Sequence, residues 1–304
     1  MAVPALDHST TRYSLHHAYW MARAAGLAPL DREAIEEQAR AWGFEEVRHF
    51  ESKHAMPFPI EDTQAYVMAG DRMIVVGFRG TEVLKIYDWL TDVNTPPVPG
   101  PANKGFVHYG FHQALQSVYP GIRDTVKELR TGNQSVWFTG HSLGGALAML
   151  AGSRLYFEEP QLLPDGIYTF GQPRTCERLL ADAHNAAFRK RCYRFVNNND
   201  IVPHLPPGPF FTHVEALRYF DVDGRLHESM PLVAGLKDRA KGPPSAQLPD
   251  RVREEPRRVR LNAARHLRLA AGAPPSPSPR TSSPSVSGGG HPRVAGAFGS
   301  GRFI

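Results

Sequence analysis

The sequence predicts an α/β fold built on a largely parallel central sheet flanked by helices. Four short apolar runs, Met73–Phe78, Val136–Thr139, Ile167–Phe170 and Cys192–Val196, are each bounded by Gly, Asn or Pro. None alternates strictly between apolar and polar residues, which is the pattern of strands buried on both faces. Helical stretches, notably Phe111–Leu129 and Leu143–Phe157, lie between them, and strands that alternate with helices favour parallel pairing.

Taken in order, the first 50 residues read as helical. Leu15, Tyr19, Ala22 and Leu27 share one face, and a second helix follows Asp31 as its N-cap and runs toward Trp42. The four strands and their helices come next. Val214–Phe220, the turn Asp221–Gly224 and Arg225–His227 then form a terminal hairpin. Beyond about Gly242 the character changes to Pro-Pro, Pro-Ser-Pro-Ser-Pro and Gly-Gly-Gly, with no Trp or Tyr. Such a segment buries too little apolar surface to offset its ordering entropy, so most of it is expected to be disordered, Val252–Leu269 being a candidate short basic helix. The expected division is a folded domain over 1–241 and a basic tail rich in Pro, Arg, Ser and Gly over 242–304.

The chain has 304 residues and a formal net charge of +5. The tail accounts for that sign: from residue 241 onward Lys241 and ten arginines face three acids, leaving the first 240 residues at −3. The folded part therefore gives no reason to expect a nucleic-acid partner. No run of eighteen apolar residues occurs, and the first residues lack the basic start and apolar core of a secretory signal, so a cytoplasmic protein is expected. Cys176 and Cys192 are too few for a disulfide framework and are expected as thiols. No metal-ligand spacing, P-loop or dinucleotide fingerprint is present, so neither metal nor cofactor is expected.

The chemistry is carried by Gly140-His141-Ser142-Leu143-Gly144, a G-x-S-x-G motif between a predicted strand and a predicted helix. A nucleophilic hydroxyl must stand clear at the tip of a tight strand-to-helix turn. Side chains two residues to either side would collide there, so both places want glycine. The helix that follows aims its N-terminal amides at the developing negative charge. One oxyanion donor is then the backbone N–H of Leu143. The second belongs at the end of another strand, where Arg79-Gly80-Thr81 offers Thr81 with both an N–H and a hydroxyl. Losing one such donor typically costs about 3–4 kcal/mol of transition-state stabilisation. Beside it, Leu84, Ile86, Tyr87, Trp89 and Leu90 give Glu82–Asp92 an amphipathic helical pattern, that of a mobile lid or of a packed surface helix.

Asp200 suits the acid of a triad. It follows the strand Cys192–Val196, and the order Ser then Asp is that of an α/β-hydrolase, with Asn197, Asn198 and Asn199 available to shape its loop. The base must be a histidine after Asp200, and the candidates are His204, His213, His227, His266 and His291.

Several motifs together resemble the class 3 (fungal-type) lipase family. They are Phe78-Arg-Gly-Thr-Glu82, Asp88-Trp-Leu-Thr-Asp92, Val107-His-Tyr-Gly-Phe111, Gly140-His-Ser-Leu-Gly-Gly145, Tyr168-Thr-Phe-Gly-Gln-Pro-Arg174 and Asn199-Asp-Ile-Val-Pro-His-Leu-Pro-Pro207. They stand in the family's order and cover roughly residues 10–240. The resemblance implies an α/β-hydrolase fold and a cofactor-free hydrolase of acylglycerols, phospholipids or smaller esters. It makes Ser142 the nucleophile, Thr81 the oxyanion-hole residue and Asp200 the acid. The expected partners are a lipid or small ester as substrate and a membrane or lipid-droplet surface met peripherally, and a monomer is expected.

The family's histidine comes later than His204, His213 and His227, usually after an acidic residue and shortly before an aromatic one. His266 stands at about the right distance, in Ala264-Arg-His-Leu-Arg268, with neither neighbour. The Arg, Pro, Ala, Ser and Gly excess of the tail is also what a GC-rich coding region yields when read out of frame. On that reading the natural sequence ends near residue 241, the base lies in another frame, and hydrolysis by this chain falls roughly 10⁴–10⁶-fold. The competing functional expectations are a lipase-fold protein that binds an acyl ligand or partner without turnover, and a membrane-surface module acting through Arg251–Arg268.

Overall fold

The computed structural model describes residues 4–53, 62–81, 86, 90, 96–198, 200–221 and 223–229. Its elements, in order, begin with α1 (Leu15–Leu27), α2 (Arg32–Ala41), β1 (Glu46–Lys53), β2 (Asp62–Ala69) and β3 (Met73–Phe78). After β4 (Pro97–Pro99) and β5 (Phe106–His108) come α3 (Tyr109–Leu129), β6 (Ser135–His141) and α4 (Leu143–Glu158). Then follow β7 (Gly166–Phe170), α5 (Arg178–Ala187), β8 (Cys192–Asn197), β9 (Leu217–Phe220) and β10 (Leu226–His227).

Eight strands form one sheet in the order β1-β2-β3-β6-β7-β8-β9-β10, while β4 and β5 pair separately. The run from β3 through β6, β7 and β8 to β9 is parallel. Antiparallel strands extend both edges, β1 and β2 on one side and β10 on the other. Each central strand is apolar on both faces because a hydrophobic core lies on each. Ile74, Val76 and Phe78 of β3 join Val136 and Phe138 of β6 in the core under α3 and α4. Met73 and Val75 join Trp137 in the core under α1. Burying a large apolar side chain contributes about 1.5–3 kcal/mol, so a period of two with apolar residues on both faces favours this double-covered sheet.

The four predicted strands are present, each a little longer or equal in span, as are both long helices. Asp31 caps α2 by accepting the Ala34 N–H at 2.8 Å. The first 50 residues are not all helical, however. β1 begins at Glu46, and its charged positions face solvent on an edge strand, so the apolar signal there is weak. The buried face of α1 holds Tyr19 and Leu27 as expected, together with His17, Ala18, Met21, Ala24 and Ala25, while Leu15 and Ala22 are only half-buried. The 242–304 tail and most of Glu82–Asp92 lie outside the described residues. Ile86 and Leu90 are helical and buried in the same core as Phe78 and Phe111. No described helix is long and apolar enough to cross a membrane.

Candidate active site

Parallel strands place their C-terminal ends along one edge of the sheet, where Ser142, Leu143, Thr81 and Asp200 follow strand ends. Ser142 lies between β6 and α4 with φ 58° and ψ −122°, a conformation that L-residues avoid because Cβ crowds the backbone. Three features hold it. Its N–H donates to the Phe170 carbonyl at 2.8 Å, and its own carbonyl accepts the Gly145 N–H at 2.9 Å. The turn also closes on glycines: a Cβ on Gly140 would strike the Gly144 carbonyl, and one on Gly144 would strike the Phe78 carbonyl. Ser142 is fully buried, and its Oγ has no hydrogen-bond partner among the described residues.

Leu143 is the first residue of α4, so its N–H has no acceptor within the helix. The loop after β3 rests directly on the elbow. A Cβ on Gly80 would come within 2.5 Å of the His141 carbonyl and 3.5 Å of Ser142 Cβ, so the glycine is what allows this approach. Thr81, the next residue, is half-buried. The Arg79 N–H donates to the Gln64 carbonyl at 3.0 Å, which ties the same loop to β2.

Asp200 follows β8, two strands from the nucleophile, and is 6% exposed. Its N–H donates to the Asn197 carbonyl at 3.1 Å, and its Oδ1 accepts the Val202 N–H at 3.0 Å. Gly171, at the end of the intervening β7, marks the approach of the two sides. It has φ 60°, and a Cβ there would meet Asp200 Oδ2 and lie 3.5 Å from His141 Nε2. His141, Phe170, Gly171, Phe195, Asp200 and Phe220 line one small hollow at this edge. Sequence reasoning used His141 only as part of the motif, and its position one residue before Ser142 was the available signal.

Of the five candidate bases, three are described, and none bonds Ser142 Oγ. His204 is exposed in a short 3-10 turn. His213 Nε2 lies 2.6 Å from the Pro203 carbonyl, and His227 Nε2 lies 2.8 Å from Asp221 Oδ2. His266 and His291 lie outside the described residues. Cys176 and Cys192 are buried free thiols, and burial pushes that of Cys192 up to about 12. Among the described residues no group of three His, Cys, Asp or Glu side chains is placed to hold a metal ion.

Comparisons with known proteins give similarities to lipases. The model of the family described as Lipase (class 3) matches residues 75–210. A lipase of Rhizomucor miehei is 37% identical over 165 residues, which cover 51% of this chain and 44% of that protein. The chain spans less than half the length of the curated relatives it matches first. Among solved structures, the Rhizomucor miehei lipase propeptide complex has a TM-score of 0.51 at 28% identity, covering 68% of each chain. A triacylglycerol lipase whose catalytic centre is a serine protease triad has a TM-score of 0.50 at 28% identity, covering 67% of this chain and 78% of its own. Residues 75–210 are therefore similar to the class 3 lipase family, and the chain takes an α/β-hydrolase fold.

Proposed function

We propose that this chain is a serine carboxylic-ester hydrolase that cleaves lipid esters, a triacylglycerol lipase or carboxylesterase, through an acyl-enzyme. The observation that carries the reading is the strained, buried Ser142 facing the side of the sheet edge where Asp200 stands. Strain of this kind costs about 1–3 kcal/mol and persists where the surroundings over-determine it, as the glycine contacts and the Phe170 bond do here. The names of the relatives, lipases of fungi and plants, support turnover over ligand binding alone.

In this mechanism Ser142 Oγ attacks the ester carbonyl carbon and passes its proton to a histidine. The oxyanion accepts hydrogen bonds from the N–H of Leu143 and from Thr81. Collapse breaks the bond to the alcohol, which leaves with the proton from the imidazolium, and water repeats the sequence on the acyl-enzyme. Asp200 holds the histidine's tautomer and its transient charge. His266 is the residue assigned as base. The substrate is a lipid or small ester met at a membrane or lipid-droplet surface, and the enzyme acts as a monomer without cofactor.

The test is covalent labelling by a fluorophosphonate together with hydrolysis of nitrophenyl esters of increasing chain length. Labelling at Ser142 and an ester burst are expected, both lost in Ser142→Ala. A folded protein with neither labelling nor burst overturns the hydrolase reading. Loss of both in His266→Ala is expected as well, and unchanged turnover in that variant removes His266 from the mechanism.

A further inference from the structure

Behind the loop that carries Asp200, the chain gathers cations with no carboxylate paired to them among the described residues. Arg194 lies in the middle of β8 and is only 7% exposed. Its Nε donates to the Val214 carbonyl at 3.4 Å, and no carboxylate pairs with it among the described residues. Arg174 donates through Nη1 to the carbonyls of His204 and Pro206, and its N–H donates to the Leu205 carbonyl at 2.6 Å. His213 is tied to the same segment through Nε2, 2.6 Å from the Pro203 carbonyl. The charged groups that bear on His213 are Arg194 and Arg174, while His204 nearby is itself held below the usual histidine value by burial and by the same arginines.

Burying a charge is expensive unless it is paired, and Arg194, without an acid among the described residues and with the half-buried Arg174 near it, is an exception to that rule. Burial lowers Arg194 to about 10, which still leaves it charged at neutral pH. Burial and Arg194 together press His213 down to about 3, so it is neutral. Its Nε2 faces a carbonyl and must carry the proton, which makes Nδ1 an acceptor. That Nδ1 is buried and without a partner among the described residues.

We propose that Arg174, Arg194 and His213, gathered against residues 203–214, bind a phosphate group that retains a proton. The guanidinium donors of Arg194, and those of Arg174 not used on carbonyls, meet phosphate oxygens in the planar fork that suits them. The phosphate O–H donates to His213 Nδ1. Sulfate and carboxylate carry no such proton at neutral pH, so the site prefers inorganic phosphate or a phosphate monoester to either. The ligand clamps 203–214 against β8 immediately downstream of Asp200, independently of whether the ester chemistry proceeds.

The probe is inorganic phosphate, compared with sulfate and chloride at equal ionic strength on the full chain. At saturation phosphate is expected to raise the unfolding temperature by about 5 °C and to broaden the phosphorus resonance, with sulfate matching chloride. Arg194→Met, which keeps the volume and removes the buried charge, is expected to abolish both effects. His213→Phe should erase the preference over sulfate. Vesicles containing phosphatidate distinguish the source: binding competed by inorganic phosphate assigns a lipid headgroup, and its absence assigns a free phosphate. No phosphate-dependent broadening of the wild-type signal up to tens of millimolar overturns the site, whatever the variants do. Phosphate binding that survives Arg194→Met, or an equal response to sulfate, also overturns it.

Discussion

The Ser142 N–H donates to the Phe170 carbonyl at 2.8 Å, joining the nucleophile's turn to the end of the neighbouring strand. One strand further, the Gly171 N–H donates to the Phe195 carbonyl at 2.8 Å. The parallel ladder thus continues past the last paired residues of β6 and β7 and sets the spacing between the Ser142 side and the Asp200 side of the edge.

Relaxing the strained serine separates stability from activity. Ser142→Gly relieves a φ of 58°, and the added chain entropy offsets part of that gain. The expected outcome is about 1 kcal/mol of extra stability by denaturant midpoint, with fluorophosphonate labelling lost.

Gly80 sets how closely the oxyanion loop approaches. Gly80→Ala introduces a Cβ 2.5 Å from the His141 carbonyl, so the loop must withdraw and take Thr81 with it. Ester kcat is expected to fall by about 10²–10³-fold, the value of one oxyanion donor, with the acyl-enzyme still formed slowly. Thr81→Ala should give a smaller loss, because its backbone N–H remains.

Asp200→Asn keeps the shape of the acid loop but removes the charge that sets the histidine's tautomer. A fall in kcat of about 10⁴-fold is expected, with little change in unfolding temperature. Retained activity would detach Asp200 from the triad.

Acid sensitivity follows from buried neutral histidines. Burial lowers both His17 and His184 to about 3. In each case the unfolded chain binds the proton more readily, so stability is complete above about pH 6.5 and declines as the pH falls toward 3. The slope is about 1.4 kcal/mol per pH unit for each histidine over that window. Both ring nitrogens of His17 are buried without a partner among the described residues, against Trp137 and Tyr168. His17→Phe is therefore expected to keep or raise stability at pH 7 and to shallow the decline between pH 6.5 and 4 in pH-dependent thermal unfolding. His184 is different, since its Nδ1 lies 2.8 Å from Ser153 Oγ, and its replacement should cost stability at pH 7.

Much of the architecture is legible in local pattern. Met73–Phe78 is apolar at every position because β3 is covered on both faces, and its limits are the same in sequence and structure. The antiparallel strands β1 and β2 carry a weaker signal. β1 alternates charged residues with Val47 and Phe50, and β2 contains Gln64, so neither reads as a strand until the sheet supplies its partner. α5 escaped notice for a related reason. It is short and strongly amphipathic, burying only Leu180, Ala181 and His184 along one stripe.

The sequence by itself determined the elbow, since only a strand followed by Gly-x-Ser-x-Gly and an apolar helix can hold a serine so, and those constraints are local. It also identified Thr81 and Asp200 as strand-end residues suited to their parts. Tertiary structure alone decided that Gly80 presses on the turn, that Gly171 stands between Asp200 and His141, and that His213 and His227 are bound to other partners. It likewise gathered Arg174 and Arg194, twenty residues apart, behind one loop. Proximity between residues on different strands depends on sheet order and register, and those are set by packing across the whole domain.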